Sequence, residues 1–222
     1  MLYVIVTGGP LPDKAAEFIK QLSSSTEDIV LISCDSGTDF LCAHEIVPDM
    51  VVGDLDSISS SGLEFIEKNN IFLERYPVEK DWTDTEIALG KSEGSKTIVV
   101  CPVTGRIDHV IANLGLALKL RSMGKDIKIT DSITYCYPMS GKDYVEVDIS
   151  SFEGPVAVSL IPWNFDSPVK GVTTKGLYYA LENHDLEAGS TFSFSNHPIE
   201  GKKSISVEMQ AGVMLLVVTP AI

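Results

Sequence analysis

The sequence predicts two folds in series: an α/β half built on a mostly parallel sheet, then an all-β half of sandwich or barrel type. Three observations carry this reading. Short β-branched runs alternate with amphipathic stretches up to about Ile133; helical periodicity then stops; and Gly, Pro, Asn and Asp thereafter space a series of short strand-like runs. The expected division is 1–133 and 134–222.

In the first half "LYVIV", "DIVLIS", "DMVV", "KTIVV" and "DIKIT" read as strands. Helices are expected between them at Asp13–Ser23, Thr38–His44, Ser59–Asn69, Thr83–Ser92 and Asp108–Met123. Alternation of this kind yields a Rossmann-like parallel sheet. In the second half "YVEVDI", "PVAVSLIPW", "GVTTKGLYYAL", "STFSFSN", "KSISVEM" and "GVMLLVVT" read as strands.

The 222 residues, 44% of them hydrophobic, supply ample core. The formal net charge of −14, from 31 acidic against 17 basic residues without a basic run, argues against nucleic acid or an anionic membrane as partner. Cys34, Cys42, Cys101 and Cys136 are scattered without metal-ligand spacing and read as core thiols. The opening "MLYVIVTGGP" has a strand's length of apolar residues and no basic flank, so a cytoplasmic protein is expected.

In an open parallel sheet, ligands gather beyond the carboxyl ends of the strands. Here those ends deliver Thr7-Gly8-Gly9, then Cys34-Asp35-Ser36-Gly37, then Gly53-Asp54-Leu55-Asp56-Ser57, then Thr104-Gly105-Arg106-Ile107-Asp108-His109. Carboxylates brought into one crevice repel one another unless a cation lies between them, and hard oxygen donors suit magnesium. Arg106, in a Gly-flanked loop that opens a helix, suits a phosphate. A fifth segment, "EKDWTDTEIAL", places Lys80, Asp81, Thr83 and Asp84 at a helix mouth. It has an equally good local reading, since Thr83 with Glu86 forms a capping box, and Asp108 is likewise placed to be an N-cap. Trp82 and Trp163 read as packing residues, His109 as a structural hydrogen-bonding group, and Lys175 as an exposed strand lysine.

The order "GDLDS", "KDWTD", "GRIDH", followed by "TTKGLYYAL" and "FSFSN", resembles the thiamine pyrophosphokinase family across most of the chain. Departures are "CDSG", where that family often has a second Gly, and His197-Pro198 after Ser195-Asn196, where an aromatic residue is frequent.

The resemblance implies transfer of a diphosphoryl group from ATP to thiamine. Asp54, Asp56 and Asp84 are then the magnesium ligands, with Asp81 and Asp108 close by. It also implies that Asp35 faces the nucleotide, that Arg106 and Lys80 face the polyphosphate with Thr83 and Asp108 nearby, and that Ser195 and Asn196 contact thiamine. The first half then binds ATP and magnesium; the second binds thiamine and forms a homodimer whose subunits share the site. The rival readings are a pyrophosphokinase acting on a hydroxymethylpterin, a metal-dependent phosphohydrolase, and a non-catalytic thiamine-binding protein.

Overall fold

The computed structural model describes every residue except Glu93, Ser95 and Ile222, the last being the final position of the expected β half. The chain divides into two compact units: Met1–Leu116 with Lys125–Ser132, and Ala117–Gly124 with Ile133–Ile222.

In the first unit β1 (Leu2–Val6), β2 (Ile29–Cys34), β3 (Met50–Gly53), β4 (Phe72–Arg75), β5 (Lys96–Val100) and β6 (Ile127–Thr130) form a parallel sheet in the order β4-β3-β2-β1-β5-β6. The connecting helices are α1 (Asp13–Ser25), α2 (Gly37–Ala43), α3 (Ser60–Lys68), α4 (Asp84–Gly90) and α5 (Ile107–Ser122). Val4, Val6, Leu31, Ile98 and Val100 bury against Ala15, Ala16 and Ile19 of α1. That is the i, i+4 apolar stripe a sheet-covering helix requires. Ser59 caps α3, its hydroxyl accepting from the Gly62 N–H at 3.1 Å.

The sheet order has one consequence for function. β1 pairs with β2 on one side and β5 on the other, so successive strands run outward from it in both directions. This reversal opens a crevice at the carboxyl ends of β1 and its neighbours.

The second unit contains two antiparallel sheets. One holds β7 (Tyr135–Ser140), β13 (Val213–Pro220) and β9 (Val156–Pro162); the other has the order β11 (His184–Leu186), β10 (Val169–Lys175), β12 (Ser204–Met209) and β8 (Asp143–Asp148). Alternate residues point inward, as the period of two demands: Val156, Val158 and Leu160 from β9, and Ile205, Val207 and Met209 from β12. They share one core with Val172, Met214 and Leu216. It is a β-sandwich.

Several elements depart from the sequence reading. β4, β7 and β11 were not anticipated; Glu74 and Arg75 disguise β4, and Pro138 disguises β7. The run "STFSFSN" alternates like a strand but forms turns: the Phe194 N–H bonds to Thr191 O, Ser195 has φ +54°, and Phe192 and Phe194 stay exposed. The strand expected through "GLYYAL" stops at Lys175, because Gly176 turns the chain at φ +78°. Among the described residues no helix is long and apolar enough to cross a membrane.

Candidate active site

A cavity of about 420 Å³ lies at the crevice of the first unit. Its walls include Gly8 and Gly9 after β1, Asp35 after β2, Thr83 and Asp84 at the start of α4, and Arg106 with His109 around the start of α5. Parallel strands send these loops to the same edge of the sheet, which is why residues so far apart in sequence meet.

Asp35, Asp54 and Asp84 converge, each offering a carboxylate oxygen within 4.8 Å of the others. Local backbone geometry aims the first two. Asp35 adopts φ +41° and its Oδ1 accepts from the Leu55 N–H at 3.3 Å. Gly53 permits that approach, since a Cβ there would fall 1.8 Å from Asp35 Oδ1. Asp54 closes a local turn, its Oδ1 accepting from the Asp56 N–H at 3.1 Å. Asp84 is set by the cap of α4, where Thr83 Oγ1 accepts from the Glu86 N–H at 3.2 Å.

Lys80 enters this group from the loop ahead of α4. Its Nζ lies 2.9 Å from Asp54 Oδ2 and 3.2 Å from Asp84 Oδ1. Burial acts to lower the Lys80 pKa, but the two carboxylates outweigh it and the ammonium is held charged. The hydrogen bond from Lys80 likewise pulls the Asp54 carboxyl below its usual range. Asp35 has no such cation: burial first, then the hydrogen bond to Asp84 and that group's charge, push its carboxyl up to about 7.

The remaining expected residues are more open. Asp56 is exposed and shares a hydrogen bond with Asp54, which raises its pKa. Asp81 is exposed. Arg106 and Asp108 pair with each other, through Nη2–Oδ2 at 2.5 Å and Nε–Oδ1 at 3.2 Å, and the guanidinium holds the carboxyl at about 2. Asp108 is therefore not an N-cap, because α5 already begins at Ile107 and the carboxylate turns back to Arg106. His109 is exposed on the cavity wall and not buried in a structural bond; Trp82 is exposed too. Asn113, which sequence reading passed over, also lines the cavity. The signal was its i, i+4 spacing from His109 on an otherwise apolar helix.

Ser36, the departure from Gly in "CDSG", sits at φ −62° and ψ −6°. No glycine conformation is needed there. Cys34, Cys101 and Cys136 are buried thiols outside any disulfide, and burial raises Cys34 above its ordinary pKa, with the charges of Asp84 and Asp35 adding to the effect.

In the second unit Ser195 and Asn196 follow the 191–194 turn. The Asn196 amide clamps the neighbouring segment: its Nδ2 donates to Tyr179 O at 2.7 Å and its Oδ1 accepts from the Tyr179 N–H at 3.1 Å. The Ser195 N–H donates to Ser159 Oγ at 3.1 Å, and its hydroxyl lies on the surface. Beside them Tyr178 stacks on His197 with ring centroids 4.8 Å apart. Tyr178 and Tyr179 are both exposed, so aromatic surface lies beside Ser195-Asn196.

Residues 20–130 match the family model described as "Thiamin pyrophosphokinase, catalytic domain", and residues 146–214 match "Thiamin pyrophosphokinase, vitamin B1 binding domain". The chain is 30% identical over 217 residues to the thiamine pyrophosphokinase of Bacillus subtilis (strain 168), covering 96% of each. The chain belongs to the thiamine pyrophosphokinase family. Among solved structures of the family, the Bacillus subtilis thiamine pyrophosphokinase superposes with a TM-score of 0.81 at 25% identity, over 100% of both chains. The thiamin pyrophosphokinase of Geobacillus thermodenitrificans does so with a TM-score of 0.77 at 26% identity, over 100% of this chain and 98% of that one. Both family domains are therefore present, in the α/β-then-β order that the sequence implies.

Proposed function

We propose that this chain transfers the diphosphoryl group of ATP to the hydroxyl of thiamine, giving thiamine diphosphate and AMP. The observation that carries the reading is the convergence of Asp35, Asp54 and Asp84 beside the 420 Å³ cavity, in a chain that also carries a vitamin B1 binding domain. That domain favours thiamine over a pterin as acceptor. A plain phosphohydrolase would not account for it.

The donor set fits magnesium: three carboxylates within 4.8 Å, with Asp84 Oδ1 buried and lacking a hydrogen-bond partner among the described residues. Asp54 and Asp84 would hold the ion, with Asp35 beside them and exposed Asp56 at the rim. When bound, magnesium supplies charge neutralisation on the polyphosphate.

The other steps belong to the chain's own residues. Arg106, oriented by Asp108, and Lys80 attract the polyphosphate. The Thr83 hydroxyl keeps its proton for a phosphate oxygen while it caps α4, and Asp81 stands at the same loop. Ser195 and Asn196 face thiamine. The alcohol oxygen forms the new bond to the β-phosphorus as the bond to the α-phosphate oxygen breaks, and AMP leaves with that electron pair. The alcohol proton passes to a nearby carboxylate or to water. Holding these atoms in line and neutralising charge supplies most of the acceleration. The reading includes a cytoplasmic homodimer in which the acidic loops of one subunit and Ser195-Asn196 of the other complete each site.

Turnover should vanish with excess chelator and return with magnesium. Asp84→Asn should lower kcat about a hundredfold or more, the scale of losing one preorganised electrostatic group. Full activity in chelator would contradict the metal site.

A further inference from the structure

Lys80 holds one oxygen of each of two carboxylates in the acidic cluster. Its Nζ contacts Asp54 Oδ2 at 2.9 Å and Asp84 Oδ1 at 3.2 Å, and donates to Pro77 O at 3.3 Å. The contact is not a loose surface pair. The side chains of Lys80, Asp54 and Asp84 are only 11%, 9% and 15% exposed.

A magnesium ion that engages Asp54 and Asp84 takes lone pairs at about 2.0–2.1 Å. An ammonium nitrogen at hydrogen-bond distance from the same two oxygens would then lie beside a dication in a partly buried site, where like charges repel strongly. A cation that takes these two oxygens therefore competes with the ammonium for them. The Asp84 Oδ1 contact is the weaker hold, since that oxygen is within ion-pair distance of Lys80 yet has no hydrogen bond among the described residues.

We propose that Lys80 is an internal stand-in for the metal: it neutralises Asp54 and Asp84 while the cation is absent, and is displaced from them when the cation binds. The inference rests on the reading of the cluster as a magnesium site. Its functional consequence is coupling. The displaced ammonium is freed for the anionic polyphosphate, so metal entry prepares the anion's site, and the two bind with positive cooperativity. Lys80 is thus a positioning residue for the carboxylates before it contacts substrate.

The test uses the full chain with magnesium or manganese alone, without nucleotide. In the metal-free protein labelled with lysine ¹⁵N, one ammonium resonance should be protected from solvent exchange, and it should be missing in Lys80→Arg. Saturating magnesium should abolish that protection. If the resonance that is missing in Lys80→Arg is still protected in the wild type at saturation, the proposal is overturned.

In parallel, Lys80→Met should bind manganese about tenfold tighter or more than the wild type, because the competing cation is gone, with Lys80→Arg staying near the wild type. Equal affinity of wild type and Lys80→Met would overturn the stand-in role and leave the metal site intact. Manganese binding to none of the chains would overturn both. Should Lys80→Met fail to fold, the ammonium readout on the wild-type chain decides alone.

Discussion

A carboxylate held against another needs either a counter-charge or a proton, and the three carboxylates of the cluster use both. Asp54 leans on Lys80, whereas Asp35 is pushed up to about 7 by burial and by Asp84. This arrangement depends on a residue that bears no charge. A Cβ at Gly53 would fall 1.8 Å from Asp35 Oδ1, and Gly53 sits at φ +154°. Gly53→Ala should therefore swing Asp35 out of the cluster and cost about 1–3 kcal/mol, the usual scale of a forced steric insertion. Thermal unfolding and manganese affinity check this together. An unchanged melting point with unchanged affinity would show that Asp35 has another way to reach the cluster.

At the scale of elements, the strand ends that build the site were readable because parallel β-runs followed by Gly and Asp have one geometric meaning. Asp54, Lys80 and Asp84 meet in the loops at this edge, while Asp56 stays exposed. The sequence brings Asp35 to the same crevice, but its close approach to Asp54 and Asp84 is not legible there, because it follows from a left-handed φ of +41° and the Gly53 approach, and neither leaves a periodicity to read. The same limit explains "STFSFSN": the alternation of Phe and Ser mimics a strand, but both aromatic rings face solvent.

Within the second unit, Arg121 from the end of α5 bonds Asp143 at the start of β8, Nη2 to Oδ1 at 2.6 Å and Nε to Oδ2 at 2.9 Å. Burial acts to raise the Asp143 pKa, but Arg121 and the N–H groups of Ser140 and Tyr144 more than reverse it, leaving the carboxyl lowered. A folded-state value below the unfolded one gives stability that is full above the unfolded pKa of about 3.9 and is lost as pH falls through the folded value. Asp143→Asn should remove that dependence, so its melting temperature should decline less than the wild type's below about pH 4. Parallel declines would mean that the pair adds no stability that is lost as the pH falls.

At the scale of the molecule, the acidic cluster and Ser195-Asn196 belong to different units of the chain. In the homodimer proposed above, one subunit supplies the cluster and its partner the serine and asparagine, and two-fold symmetry makes both sites equivalent. Mixing inactive Asp54→Asn chains with inactive Ser195→Trp chains should then restore part of the activity, through the hybrid site free of both defects. Mixed dimers without recovery would place both halves of a site in one chain.

The central claim is that one intact diphosphoryl group moves from ATP to thiamine. Incubation of the protein with ATP, magnesium and thiamine, followed by chromatographic quantitation of every nucleotide and thiamine species, tests it most directly. The expected result is thiamine diphosphate and AMP accumulating in equal amounts, with AMP formation dependent on thiamine. Thiamine monophosphate with ADP, or ATP breakdown that proceeds equally without thiamine, would contradict it.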